Sequence, residues 1–271
     1  MAGFAVEDMF LKAATRLMPV GEVITLFGIC GMIAFVALAR RQGDRALSAA
    51  MLSRPMVIRS GFEITGRLFY ALAIALTPLS VASAILQATP LVVVAGAAVL
   101  FGETVGLRRW LAIIAGFAGV LLIIRPGLAG FDVLSLLTVI GLIGFAGRDL
   151  ATRAAPPAMS NMQLGVAGFA MLTIAGIIIL LVNADYRLPS AIGLGLTLCA
   201  TLFGVLAYTA LTAAMRTGDV SAVTPFRYTR LLFALILGAT IFHERPDALT
   251  LIGSAIVVAS GIYVLTQNRS T

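Results

Sequence analysis

Arg59, Glu63 and Arg67 stand four residues apart within one otherwise apolar stretch, a spacing that stacks all three on a single face of a helix. Each guanidinium can reach the Glu63 carboxylate, and one positive charge is left over. A charged group inserted at mid-bilayer costs at least about 2.5–3.5 kcal/mol, so such a ladder needs a reason. Facing a watery cavity, the surplus guanidinium suits a carboxylate or phosphate, which arginine binds through two parallel hydrogen bonds. The competing account is a structural ladder in which Arg59 extends toward the nearer membrane surface. A binding role fits Arg67 better than Arg59.

Two further groups have comparable chemistry. Pro225 removes a backbone hydrogen bond and can kink its helix, and Phe226, Arg227, Tyr228 and Arg230 follow at once. Arg230 shares a face with both Arg227 and Phe226, and cations beside an aromatic ring near a kink suit a planar, acidic or zwitterionic solute. Paired instead with Glu63 or Asp149, these arginines would clamp the halves together. Thr89-Pro90 marks the corresponding region earlier in the chain, with Gln87 as a polar contact. The second group is Glu7, Asp8 and Lys12, answered by Arg148, Asp149 and Arg153. Asp8–Lys12 and Asp149–Arg153 are acid-before-base pairs at i, i+4, the favourable order for a helix. A carboxylate among Asp149, Asp8 and Glu63 that lacked a partner could carry a proton. Glu103 and Glu244 fall at helix ends, where they fix the following turn or pair with Arg108 and Arg245.

The elements that must hold these groups are apolar runs. Of the 271 residues, 60% are hydrophobic and 11% charged, too few charges to cover a solvated surface, where about 25% is usual. Runs near 20 residues match a bilayer core of about 30 Å. Apolar runs and turn-forming breakers predict about ten spans, near 1–17, 20–39, 56–76, 79–101, 107–124, 132–154, 161–182, 190–214, 220–242 and 248–266. The first is short and carries Glu7, Asp8 and Lys12. It is expected either to continue upstream of Met1 or to sit as a short, tilted helix in a thinned bilayer. Arginine is denser in the loops that share a side with the N-terminus, including Arg40, Arg41, Arg45 and Arg54, than in those holding Arg16, Arg125, Arg187 and Arg245. That bias places both termini in the cytoplasm.

The halves resemble each other. Phe4-Ala5 with Asp8 and Lys12-Ala13-Ala14 matches Phe145-Ala146 with Asp149 and Arg153-Ala154-Ala155 at one constant offset, and Phe101-Gly102-Glu103 answers Phe242-His243-Glu244. Five helices per half is odd, so the halves, residues 1–127 and 128–271, enter the membrane from opposite sides, with a site between them. Gly141, Gly144 and Gly147, and Ala112, Gly116 and Gly119, form small-residue ridges that let helix backbones approach closely.

Other functions find no support. The net charge of +7 comes from scattered arginines with no basic stripe, which argues against a nucleic-acid partner. Cys30, Cys199 and His243 stand alone, so neither a disulfide framework nor a metal site is indicated. No phosphate loop or nucleophile–base pair appears, so neither an enzyme nor a cofactor is expected.

Tyr70-Ala71-Leu72-Ala73, Thr77-Pro78-Leu79-Ser80-Val81-Ala82, Thr89-Pro90-Leu91, Phe101-Gly102-Glu103, Trp110 and Ile124-Arg125-Pro126-Gly127, then Asp219 to Tyr228, Phe242-His243-Glu244 and Gly253, form a succession that resembles the EamA repeat of the drug/metabolite transporter superfamily. The resemblance implies an all-α membrane protein of ten helices in two inverted five-helix repeats around a central cavity. It implies a multi-pass carrier in the bacterial inner membrane that works by alternating access, rocking one repeat against the other, as a monomer or homodimer. A small-molecule substrate and the lipid bilayer are then its partners. Arg, Tyr, Phe and Gln in the cavity favour export of amino acids or related amphipathic or anionic compounds. Uptake of a vitamin or an S-adenosylmethionine-like compound is the nearest rival, ahead of a membrane-embedded enzyme or a scaffold subunit. Phe-His-Glu departs from the family's usual Gly-Glu and puts equal work at the two positions in doubt.

Overall fold

A computed structural model describes residues 1–102, 106–125, 132–153, 159–217 and 227–266; the side chains of 101, 152, 153, 212, 214–217 and 265 are not described. Among these residues the fold is all-α: α1 (Ala2–Thr15), α2 (Val20–Arg41), α3 (Arg54–Leu76), α4 (Leu79–Leu86), α5 (Thr89–Phe101), α6 (Leu107–Ile124), α7 (Ser135–Arg153), α8 (Asn161–Asn183), α9 (Ala191–Thr217), α10 (Thr229–Ile241) and α11 (Ala248–Thr266), with a 3-10 turn at Ala49–Leu52. Val20–Arg41, Leu79–Leu100, Leu107–Ile124, Asn161–Asn183 and Ala191–Leu211 are each long and apolar enough to cross a bilayer. Absent from that group are α1, α3 and α7, which carry the clustered charges. Their charges meet one another in the interior, where Glu7, Asp8, Arg59 and Glu63 are buried.

The expected span at 79–101 is two helices. Pro90 has no N–H to give the Leu86 carbonyl, and its ring crowds that turn. The Thr89 hydroxyl donates to Leu86 O at 2.6 Å instead, satisfying a carbonyl that would otherwise be orphaned in an apolar interior. The chain breaks at Gln87–Ala88, between α4 and α5.

Helices pair most extensively across the two halves: α2 with α8, α3 with α7, α6 with α11, and α1 with α9. The first crossing is antiparallel and reciprocal. A Cβ on Gly28 would fall 2.6 Å from Thr173 N, and one on Gly176 would fall 2.8 Å from Thr25 Cα. Gly119 and Gly253 meet in the same manner on α6 and α11, each against the other's carbonyl. Equivalent helices that run antiparallel are what inverted repeats require. Contacts inside a half, such as α1 with α2 or α2 with α3, are slight by comparison. The halves therefore interdigitate. Rocking one five-helix half as a rigid body would tear the largest interfaces, so any moving unit must combine helices from both halves.

The departure at Phe242-His243-Glu244 turns out to preserve geometry. His243 takes the left-handed conformation (φ 55°) that Gly102 takes in the first half (φ 66°). The Phe242 and Glu244 N–H groups both return to Gly238 O, at 3.2 and 2.9 Å. A non-glycine residue costs roughly 1–2 kcal/mol in that region. His243→Gly is accordingly expected to stabilise the protein by up to about 1 kcal/mol, after glycine's greater freedom in the unfolded chain is counted. Denaturant unfolding in detergent micelles measures it; an unchanged or lower stability would contradict the strain.

Candidate functional site

The charged residues converge where α1, α3, α7 and the start of α10 meet. On α3 the ladder forms as its spacing predicts: Arg59 Nη2 is 3.3 Å from Glu63 Oε2, and Arg67 Nε is 3.1 Å from Glu63 Oε1. A third guanidinium comes from the second half, Arg148 Nη1 at 3.3 Å from Glu63 Oε1. Arg148 also donates to Asp149 Oδ1 at 3.0 and 2.8 Å, and Arg227 Nη1 lies 3.8 Å from Asp149 Oδ2.

A second group surrounds Asp8. Arg230 donates from Nε at 3.1 Å and Nη2 at 2.5 Å to Asp8 Oδ2, and the Tyr70 hydroxyl donates to the same oxygen at 3.2 Å. Arg230 sits over the Phe4 and Tyr70 rings, with 5.3 and 5.7 Å to the centroids, while Arg148 covers Phe145 at 5.0 Å. Arg67 links the groups weakly, with Nη1 4.0 Å from Glu7 Oε1. Glu7 Oε2 accepts no hydrogen bond among the described residues and rests against Gly204 of α9.

The structure thus joins Arg59, Glu63, Arg67, Asp149 and Arg227 in one network, and Asp8 with Arg230 in another. Gln87, at the break between α4 and α5, donates to Arg227 O at 3.3 Å. Tyr228 is buried, and its hydroxyl lies against Gly261 of α11. Phe226 and Pro225 lie outside the described residues, as does the Arg153 side chain. The condition set for a proton carrier, a carboxylate without a partner, is not met by Asp149, Asp8 or Glu63. The Asp8–Lys12 pairing inferred from local spacing does not form. Asp8 turns to Arg230, and Lys12 turns to Glu244, with Nζ 3.3 Å from Oε1. Glu244 serves neither its own turn nor Arg245. Its carboxylate crosses to the start of α4.

Arg148 is the member of this charged network that spacing missed. It is the only described group touching both Glu63 and Asp149 at ion-pair distance. The signal was present in the offset between halves, which sets Arg148 opposite Glu7.

Counted together, the described residues bring five guanidinium groups (Arg59, Arg67, Arg148, Arg227, Arg230) and four carboxyl groups (Glu7, Asp8, Glu63, Asp149) into this region. The surplus is positive, and an anionic group is the ligand that would balance it. Exposure is graded: the Asp149 and Arg227 side chains are 25% and 29% exposed, against 2% for Glu63. A separate surface cleft near Arg16, Met18, Asn183 and Arg187 includes none of these charges.

The sequence profile of the EamA-like transporter family matches residues 1–125 and 131–266. A riboflavin transporter of Rhizobium johnstonii is 28% identical over 71% of this chain, an alignment that spans 63% of that relative's length. An S-adenosylmethionine uptake transporter of Rickettsia prowazekii is 22% identical, covering 83% of this chain and 76% of the relative. A pseudopaline exporter of Pseudomonas aeruginosa is 25% identical over 96% of this chain and 90% of the relative. One protein of known crystal structure superposes with a TM-score of 0.68 at 19% identity, over 98% of this chain and 96% of that one, a likeness of fold. With nearly every residue inside the two matched segments, the chain belongs to the EamA-like transporter family.

Proposed function

We propose that the protein is a secondary transporter that moves a small metabolite across the bacterial inner membrane by alternating access, with residues 1–127 and 128–271 as its two repeats and both termini in the cytoplasm. The observation that carries the reading is the surplus guanidinium held among α1, α3, α7 and α10. A solute carboxylate adds the negative charge that the region lacks, so that five guanidinium groups meet five carboxyl groups. Arg67 and Arg230 are the anchors, with Arg59, Glu63, Gln87, Arg227 and Tyr228 around them; Phe226 joins them on sequence grounds. Amphipathic anionic or zwitterionic compounds such as amino acids fit this charge, and export is the direction favoured. Uptake of a vitamin or nucleoside-derived compound is the second reading, supported by the likeness to riboflavin and S-adenosylmethionine transporters.

Transport in reconstituted vesicles, screened with amino acids, riboflavin and S-adenosylmethionine, tests both. Arg67→Ala and Arg230→Ala are expected to lower the transport rate by at least about tenfold, the scale of one lost charge-assisted hydrogen bond, with folding intact. Arg67→Lys, which keeps the charge but loses the fork, should recover only part. Rates unchanged in both alanine variants would remove the site.

A further inference from the structure

Glu244 makes a contact that local sequence does not suggest. Its Oε1 accepts the Leu79 N–H at 2.7 Å, and its Oε2 accepts the Ser80 N–H at 3.0 Å and the Ser80 hydroxyl at 2.7 Å. A residue 164 positions away in sequence from Ser80 thus caps the first turn of α4. Lys12 of α1 completes the group, 3.3 Å from Glu244 Oε1 and donating also to Thr77 O, the carbonyl at the end of α3. Phe242 takes Lys12 and Arg16 over its ring, at 5.3 and 4.6 Å to the centroid. Four helix ends are tied at one face of the bundle: those of α1, α3, α4 and α10.

Three features show that this knot is built. His243 is held left-handed, which turns Glu244 back along α10. Gly238 leaves the space the carboxylate occupies, since a Cβ there would lie 2.6 Å from Glu244 Oε2. Thr77 and Ser80 are buried, and the Lys12 and Glu244 side chains are only 8% and 10% exposed, whereas Asp149 and Arg227, elsewhere in the charged region, are 25% and 29% exposed. Burial alone would raise the Glu244 carboxyl, but the Ser80 and Leu79 donors and Lys12 hold it below the ordinary carboxylate range. Glu244 is therefore ionised at neutral pH.

We infer that Glu244 is a latch: its bonds to α4 and Lys12 keep this face of the transporter closed, and their release opens the charged region toward it. The inference rests on the alternating-access reading, but its test needs no substrate. Spin labels at Leu17 and Leu76, both exposed, report the separation of α1 and α3 at the latch face; Arg54 and Ala210 report the opposite face. Cys30 and Cys199 are first replaced by alanine, and distances are measured in nanodiscs. Glu244→Gln is expected to raise the population with a long Leu17–Leu76 distance at least about tenfold, the scale of one lost charge-assisted hydrogen bond. The Arg54–Ala210 distance should shorten in step. Lys12→Met should act in the same direction, and Ser80→Ala less, because both backbone donors remain. A Leu17–Leu76 distribution unchanged in Glu244→Gln and Lys12→Met overturns the latch. So does widening at both faces together, which is loosening of the fold. If the distances respond as expected but no solute is carried, the latch stands and the substrate reading fails.

Discussion

Glu63→Ala is expected to destabilise the protein by about 3–5 kcal/mol, the range for removing one partner from a buried ion pair. Glu63 is 1% exposed and receives Arg59, Arg67 and Arg148 within 3.3 Å. Without it three guanidinium groups face one another in a low-dielectric interior; all three lose a counter-charge, and Arg67 and Arg148 lose a hydrogen-bond acceptor as well. The loss also falls between halves, because Arg148 stands on α7 and Glu63 on α3. Thermal unfolding of purified protein in detergent reads the change. A companion double variant, Glu63→Ala with Arg148→Met, should recover part of the loss by deleting one stranded charge. A melting temperature equal to wild type in the single variant would mean that water, not Glu63, satisfies these arginines.

Gly144→Val should be nearly as damaging, for a steric reason. A Cβ on Gly144 would lie 2.6 Å from Gly66 Cα and 3.0 Å from Phe62 O, both backbone atoms of α3 that cannot rotate aside. The two helices must separate, and separation pulls Arg148 away from Glu63 a single turn further along. Overpacking of this kind costs about 1–3 kcal/mol and more where backbone must move, so the variant is expected at or above the top of that range. Gly168→Ala is the matched control. Nothing lies within 4 Å of the added carbon there, and helix propensity favours alanine by up to about 1 kcal/mol. If the two substitutions proved equally mild, the α3–α7 contact would not be the close crossing described.

The same two sites show how far spacing carries. Arg59, Glu63 and Arg67 pair as their i, i+4 positions dictate, because neighbours on one helix turn meet whatever the rest of the chain does. Asp8 and Lys12 have the same spacing and do not pair. Each has a stronger partner brought in from the second half, Arg230 and Glu244, and a buried acid goes to the donor that reaches it with best geometry. The glycine ridge on α7 was legible as a packing face, though not that its partner is Gly66. The long apolar run on both sides of Pro90 led to one expected span over 79–101, and the break at Gln87–Ala88 came only with the structure.

Composition and apolar run length were enough to determine that this chain is helical and embedded in a bilayer, since only helices and closed barrels satisfy their backbone polar groups there, and continuous apolar runs near 20 residues fit the helix. Motif order and the repeated registers determined the family. Tertiary structure alone decided which charges share a partner, that Glu244 spans the bundle to cap α4, and that the halves interleave helix by helix. Those outcomes depend on contacts between residues far apart in the chain, 85 positions for Arg148–Glu63 and 164 for Glu244–Ser80, and a one-dimensional pattern holds no distance between them.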